Sequence, residues 1–360
     1  MKTSRRDFIG TAACAAAGAF CTPAWAGAKK PFIWAGLYHL GLNMWSEAKG
    51  ADHLRFDENE WRMITARMQE VGMNMVVIDL GEGVVYPSHP EIAVKGSWSV
   101  EKLRKELVRL RAMGLEPIPK MNFSAAHDLW LGEYGRMLST RKYYQVCADL
   151  IRDVKEIFDT PRFFHLGFDE EGYDVQAANG YKYIAIRRGD LFWHDLLWFI
   201  RGVEKLGMRA WTWGDRFSTT PDEFCKNMPK SVVQSYWYYD DKFGPFPADY
   251  KDYQKKRLEG FVALAKAGYD TIHSGSTCKY DVGNMRSLAR WCFDHVPEER
   301  MLGLVTVPWQ TTQPEHRAKN LGAVEDMGQA IADRKGVPFV RRDGLTPANC
   351  YRPADKIVGE

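Results

Sequence analysis

The sequence predicts a single-domain (β/α)8 TIM barrel, an α/β fold, and three observations carry that prediction. Eight short apolar segments alternate with stretches whose apolar residues recur at helical spacing, the pattern of a parallel α/β architecture. The 360 residues hold a barrel of about 250 residues with length to spare at both ends. No Gly-x-Gly-x-x-Gly follows the first strand, so the signature of the competing open, doubly wound sheet is missing.

The elements follow in order. Residues 32–45 read as a first strand ending at Asn43-Met44-Trp45. Residues 57–71 carry Trp61, Ile64, Met68 and Val71 on one helical face and stop at Gly72, which suits a left-handed cap. Residues 74–80 are a β-branched strand closed by Gly81-Glu82-Gly83, and 100–113 a helix ending at Gly114. The third strand spans 116–123, with Lys120 and Asn122 near its end and His127 just beyond. A helix over 143–158 leads to the fourth strand, 162–168, which runs into Asp169-Glu170-Glu171. A helix over 187–206, stopped by Gly207, precedes strand five at 208–213 and strand six at 231–239. Residues 253–267 and 285–293 read as helices on either side of strand seven, 269–274. The eighth strand is 302–309 and the closing helix 316–333. No Pro/Ser-rich linker divides the chain, so residues 27–335 are expected as one barrel and 336–360, with three prolines, as an irregular tail.

Composition narrows the function. A net charge of +3 gives no pull towards nucleic acid or an anionic membrane surface. Thirteen Trp and sixteen Tyr exceed what core filling asks for, and such rings are platforms on which sugars stack. The cysteines outside the N-terminal stretch (Cys147, Cys225, Cys278, Cys292, Cys350) are scattered without a C-x-x-C pair, so neither a disulfide framework nor a zinc cluster is expected. His127, His165 and His273 form no H-E-x-x-H or H-x-H pattern either, so no metal and no cofactor are assigned.

The first residues read as an address. Ser4-Arg5-Arg6-Asp7-Phe8-Ile9 resembles a twin-arginine export signal, followed by an Ala-rich stretch over 11–20 and small residues at Ala24-Trp25-Ala26. Residues 1–26 are therefore expected to be a removable signal peptide recognised by the twin-arginine export machinery. The mature protein is then periplasmic or secreted. The apolar stretch is shorter than the roughly 20 residues a permanent bilayer span takes, so no stable membrane anchor is expected.

Catalytic residues of a (β/α)8 barrel sit at the C-terminal strand ends. Here those ends carry Asn43 and Trp45; Asp79 and Glu82; Lys120, Asn122 and His127; Asp169 and Glu170; Trp213 and Asp215; Trp237 and Asp240; His273 and Ser274; Trp309 and Gln310. Acids interleaved with Trp suit glycoside chemistry, where one group protonates the leaving oxygen and another stabilises charge at the anomeric carbon. Glu171 and Asp241 read as helix caps. Strand seven ends His273-Ser274-Gly275-Ser276, with no acid to serve as nucleophile. An adjacent Asp-Glu pair without that nucleophile fits cleavage in which the substrate's own 2-acetamido oxygen attacks, an exception to the two-carboxylate scheme.

His165-Leu166-Gly167-Phe168-Asp169-Glu170 resembles the His-x-Gly-x-Asp-Glu signature of family 20 glycoside hydrolases, the β-N-acetylhexosaminidases. The resemblance implies a (β/α)8 catalytic domain acting on a carbohydrate substrate. It makes Asp169 the residue that orients the acetamido group and Glu170 the general acid, then base. Residues 233–237 are similar to the family's Trp-ending strand, Trp309 to the last-strand Trp of its aromatic pocket, and Tyr280-Asp281 to the segment whose Tyr meets the acetamido oxygen. Asn43, Asn122, His127, Trp213, Asp215 and Trp237 complete the expected substrate-binding set. Pro119-Lys120-Met121-Asn122 departs from the family's Pro-Glu-x-Asp, and the first strand lacks its sugar-gripping arginines. Two alternatives stay open: a glycosidase for another sugar with Asp215 or Asp240 as second carboxylate, and a glycan-binding barrel without turnover.

Overall fold

The computed structural model describes residues 31–44, 50–246, 253–277 and 284–342. The proposed signal peptide, Trp45, Tyr280, Asp281 and most of the C-terminal tail lie outside the described residues.

Eight parallel strands close into a barrel in sequence order, β1 pairing with both β2 and β8. They are β1 Ile33–His39, β2 Met75–Asp79, β3 Glu116–Lys120, β4 Phe163–His165, β5 Arg209–Trp213, β6 Val233–Ser235, β7 Thr271–Gly275 and β8 Met301–Thr306. Around them lie α1 Glu58–Val71, α2 Val100–Ala112, α3 Arg141–Ile157, α4 Tyr173–Ala178, α5 Asp190–Lys205, α6 Pro221–Asn227, α7 Tyr253–Lys266, α8 Asn284–His295 and α9 Arg317–Lys335. The eight strands and their helices stand where periodicity placed them.

Caps explain several helix starts and stops. Asp57 accepts the Asn59 and Glu60 amides at the start of α1, and Ser99 and Thr140 do the same work for α2 and α3. Gly72 and Gly336 end α1 and α9 in the left-handed region that only glycine enters freely.

The first six strands alternate between two cores. Trp34, Tyr38, Val76, Ile78, Phe164 and Ala210 point outward against the helices. Ile33, Ala35, Leu37, Met75, Val77, Ile118, Phe163, Trp211 and Val233 point inward and fill the barrel. The same parity puts His39, Asp79, Lys120, His165, Trp213 and Ser235 on the last inward layer, at the C-terminal end of the strands.

Five strands end three or more residues before their apolar runs do, and β3 among them stops at Lys120. β1 stops at His39 because the Leu40 and Gly41 amides both bond to the Asp79 carbonyl and the chain turns away. β4 stops at His165 because Gly167 and Phe168 take φ of 72° and 67°, which no strand accommodates. β6 ends at Ser235, with a lone bridge from Trp237 to Ser274 beyond it, and β8 ends at Thr306 ahead of Trp309 at φ 53°. Two short helices, α4 and α6, occupy loops that showed no helical periodicity; α6 begins at Pro221, a residue preorganised for a first turn.

Candidate active site

Two turns lock together at the mouth of the barrel. After β4, Gly167, Phe168 and Glu170 all take positive φ, so the chain coils back over the barrel end instead of continuing outward. Gly167 is required twice over. Its φ is 72°, and a Cβ there would lie 2.0 Å from Asn122 Oδ1. Asn122, after β3, uses that close approach: its Oδ1 accepts the Ser124 amide at 3.1 Å and the Phe168 amide at 3.2 Å, while its Nδ2 donates to Asp169 Oδ1 at 2.8 Å. Ser124 Oγ donates to the Asp169 carbonyl at 2.5 Å. Asp169 is thus fixed by side chain and backbone at once.

His127 stands between the two acids, its Nε2 3.4 Å from Asp169 Oδ2 and 3.4 Å from Glu170 Oε2. Burial alone would raise the Asp169 pKa, but the His127 charge and hydrogen bond outweigh it and hold the carboxyl at about 2. Burial likewise works against the His127 cation, and the Asp169 and Glu170 carboxylates overturn it, lifting the imidazole to about 10. The pair therefore stands as carboxylate and imidazolium across the neutral range. His127, Asp169 and Glu170 offer ligand atoms within 4.8 Å of one another, close enough to share a divalent cation. With His127 protonated, the imidazolium itself fills the position between the acids.

Asp215, after β5, completes the acid group. Its Oδ2 accepts the Glu170 amide at 3.1 Å, and its buried Oδ1 has no hydrogen-bond partner among the described residues. Burial, then the charge of Asp169, push its carboxyl up to about 7. Asp169 and Asp215 are therefore driven apart in acidity, the pattern that separates proton-holding from charge-holding groups in a site.

Tryptophans form the adjoining wall. Trp213 meets Trp237 edge-on at 5.7 Å between centroids and Trp309 at 6.0 Å. The indole N–H groups of Trp213 and Trp309 are buried without an acceptor among the described residues, so they remain available to a bound polar group. Glu170, with 38 % of its side chain exposed, opens into a cleft of about 540 Å³ that Trp237 and Asp215 also line.

The polar layer beneath is paired internally. Lys120 Nζ lies 2.5 Å from Asp79 Oδ2, and His39 Nδ1 lies 3.2 Å from the same oxygen. Burial raises the Asp79 pKa and Lys120 pulls it back below the ordinary carboxylate range. Burial keeps His39 and His165 neutral. His165 accepts the Gly167 amide at 3.1 Å and packs against Trp211 and Trp213, which makes it the support under the turn.

The structure thus brings Asn122, His127, Asp169, Glu170, Trp213, Asp215, Trp237 and Trp309 to one mouth. Asn43 is not among them: its side chain braces its own loop, bonding Ala51 through both amide atoms and accepting from Arg55. Glu171 is not a helix cap. Arg187 grips it with two bonds, at 2.9 and 2.6 Å, and the residue N-terminal to α4 is Gly172. Asp240 accepts from Gln254 and the Asp241 amide within its loop. Sequence reasoning missed Arg187, which also reaches Asp195 and the Phe123 carbonyl, because its partners are distant in the chain and follow no periodicity.

No protein-family model matches the chain, and no curated protein matches it in sequence. Solved structures do. A β-N-acetylhexosaminidase from Bacteroides fragilis NCTC 9343 superposes with a TM-score of 0.58 at 12% identity, over 82% of this chain and 65% of that one. The GH20 β-N-acetylhexosaminidase from Streptomyces coelicolor A3(2) gives 0.57 at 11% identity, over 87% and 72%. A chitobiase from Flavobacterium johnsoniae gives 0.59 at 16% identity, over 89% of this chain but 50% of its own length. The match to the Bacteroides and Flavobacterium enzymes thus takes in half to two thirds of their lengths. At these identities what is shared is the barrel, and the chain is similar in fold to β-N-acetylhexosaminidases of glycoside hydrolase family 20.

Proposed function

We propose that the chain is an exported glycoside hydrolase that removes terminal N-acetylhexosamine by substrate-assisted, retaining catalysis. One observation carries this reading: Asp169 is held as an anion beside Glu170 while β7 supplies no carboxylate. After β7, the Ser276 and Thr277 hydroxyls are spent on the Val307 and Lys319 carbonyls. The acetamido carbonyl oxygen then attacks the anomeric carbon as the glycosidic C–O bond breaks, and Glu170 delivers a proton to the leaving oxygen. Asp169 accepts the acetamido N–H and balances the oxazolinium charge. Glu170, now a carboxylate, takes a proton from the water that opens the ring.

A thiazoline analogue of that intermediate tests the reading. It is expected to inhibit hydrolysis of an aryl N-acetylhexosaminide competitively. Hydrolysis that continues unaffected at saturating thiazoline would remove the acetamido group from the mechanism. That result would favour a second reading, a two-carboxylate glycosidase, which the unpartnered Oδ1 and the raised pKa of Asp215 support. Asp215→Asn would then abolish turnover.

A further inference from the structure

The cleft beside Glu170 has a charge pattern that the reaction itself does not use. Arg216, after β5, and Arg257, on α7, line it together with the exposed Arg188. Among the described residues neither Arg216 nor Arg257 forms an ion pair. Each instead lies over aromatic rings: the Arg216 guanidinium carbon is 3.5 Å from the Phe192 centroid, and that of Arg257 is 4.4 Å from Trp237 and 4.6 Å from Tyr236. One guanidinium nitrogen of Arg257, Nη1, is buried and without a hydrogen-bond partner. Burial lowers the Arg216 pKa from its ordinary value, yet a guanidinium stays charged at every working pH.

The acids around the cleft do not neutralise these cations. Glu171 is matched by Arg187, which is also paired with Asp195. Asp215, pushed up to about 7, carries only part of a charge near neutrality. Glu170 and Asp174 are left facing three arginines. A guanidinium held over aromatic rings at the edge of a cleft is preorganised for an oxyanion, because little side-chain entropy remains to be lost.

Resting on the glycosidase reading above, we propose that this cleft is the subsite for the leaving part of the substrate, and that it takes a sugar bearing an anionic group, a carboxylate or a sulfate. Arg257 and Arg216 offer the oxyanion contacts, and Glu170 opens into the same space, where the bridging oxygen must lie. The natural substrate is then an N-acetylhexosamine joined to an acidic sugar rather than to a neutral one.

The test compares three disaccharides, with the same N-acetylhexosamine linked to a uronic acid, to a sulfated hexose and to a neutral hexose. The expected kcat/KM for at least one acidic substrate exceeds the neutral one by about tenfold, a preference that high salt erodes. The two acidic arms distinguish carboxylate from sulfate. In Arg257→Gln and Arg216→Gln the acidic-to-neutral ratio collapses towards one. Equal kcat/KM for all three in the unmodified protein, at low salt, overturns the proposal and leaves the glycosidase reading standing. Titration of Trp fluorescence in Glu170→Gln decides the point without turnover: equal Kd for acidic and neutral disaccharides overturns it too. Failure to hydrolyse any N-acetylhexosaminide sinks the glycosidase reading instead, and the titration still reports the cleft's preference.

Discussion

Asp169→Asn is the most informative single change, because it keeps shape and removes charge. Asn at this position retains the Asn122 contact but no longer faces the His127 imidazolium at 3.4 Å. The Asp169 carboxyl is held at about 2 against an ordinary 3.8, which corresponds to about 2 kcal/mol of folded-state stabilisation. A depressed carboxyl contributes stability that is complete above its unfolded pKa and is lost as the pH falls through its folded one. His127 mirrors this: lifted from 6.5 to about 10, it contributes fully below its unfolded value and loses the contribution as the pH rises through about 10. Both shifts describe one ion pair, so they are counted once. The pair is therefore intact from about pH 2 to about pH 10, and its contribution to stability is complete between roughly pH 4 and pH 6.5.

Asp169→Asn is expected to lower Tm by about 4 °C near pH 6. The gap from the unmodified protein should shrink as the pH falls towards 2. Activity on an aryl N-acetylhexosaminide should fall by roughly 10²- to 10⁴-fold, and by as much in Glu170→Gln. Differential scanning calorimetry across pH, with single-turnover kinetics beside it, reads both effects. A Tm gap that is the same near pH 6 and near pH 2 refutes the ion-pair reasoning. Asp169→Asn turning over within a few-fold of the unmodified protein refutes the role in catalysis.

Two further changes probe the scaffold. Lys120→Met strands the Asp79 carboxylate in the barrel, so chemical denaturation should show a loss of about 3–5 kcal/mol, much of which Asp79→Asn restores in the double variant. No recovery in the double variant would show that Lys120 matters for packing rather than charge. Gly167→Ala places a methyl group 2.0 Å from Asn122 Oδ1 at a left-handed backbone position, at a cost of roughly 1–3 kcal/mol, and should cut turnover by displacing Asn122 from Asp169. Unchanged Tm and turnover together would mean that the turn is not the clamp described above.

The fold was legible because it rests on local periodicity. Alternation along a strand and the i, i+3, i+4 stripes of a helix need no partner to be seen, and both put residues where the barrel has them. The acid turn was legible for a different reason: Asp169 and Glu170 stand at the end of an apolar strand, and Gly167 precedes them. Residues whose role depends on strand register or loop closure were not. Lys120 and Asp79 meet because β2 and β3 align them, and nothing in either segment alone specifies that pairing. Glu171 looked like a cap because its neighbours are polar, whereas its partner Arg187 arrives through an irregular loop. Arg257 sits on α7 among other charged residues, and only the folded barrel lays it across Trp237. Strand lengths were overestimated where apolar side chains continue past the point at which the backbone leaves the ladder, as at Phe168 and Trp309.

Phe168, Glu170 and Trp309 hold φ of 67°, 55° and 53°, where a side chain costs of order 1 kcal/mol or more. Glycine at any of the three would relieve the backbone at once and remove the side chain presented at the mouth of the barrel. The same three positions thus offer a way to sort relatives: on the proposed reading, a barrel with glycine at the position of Glu170 would lack the proton donor.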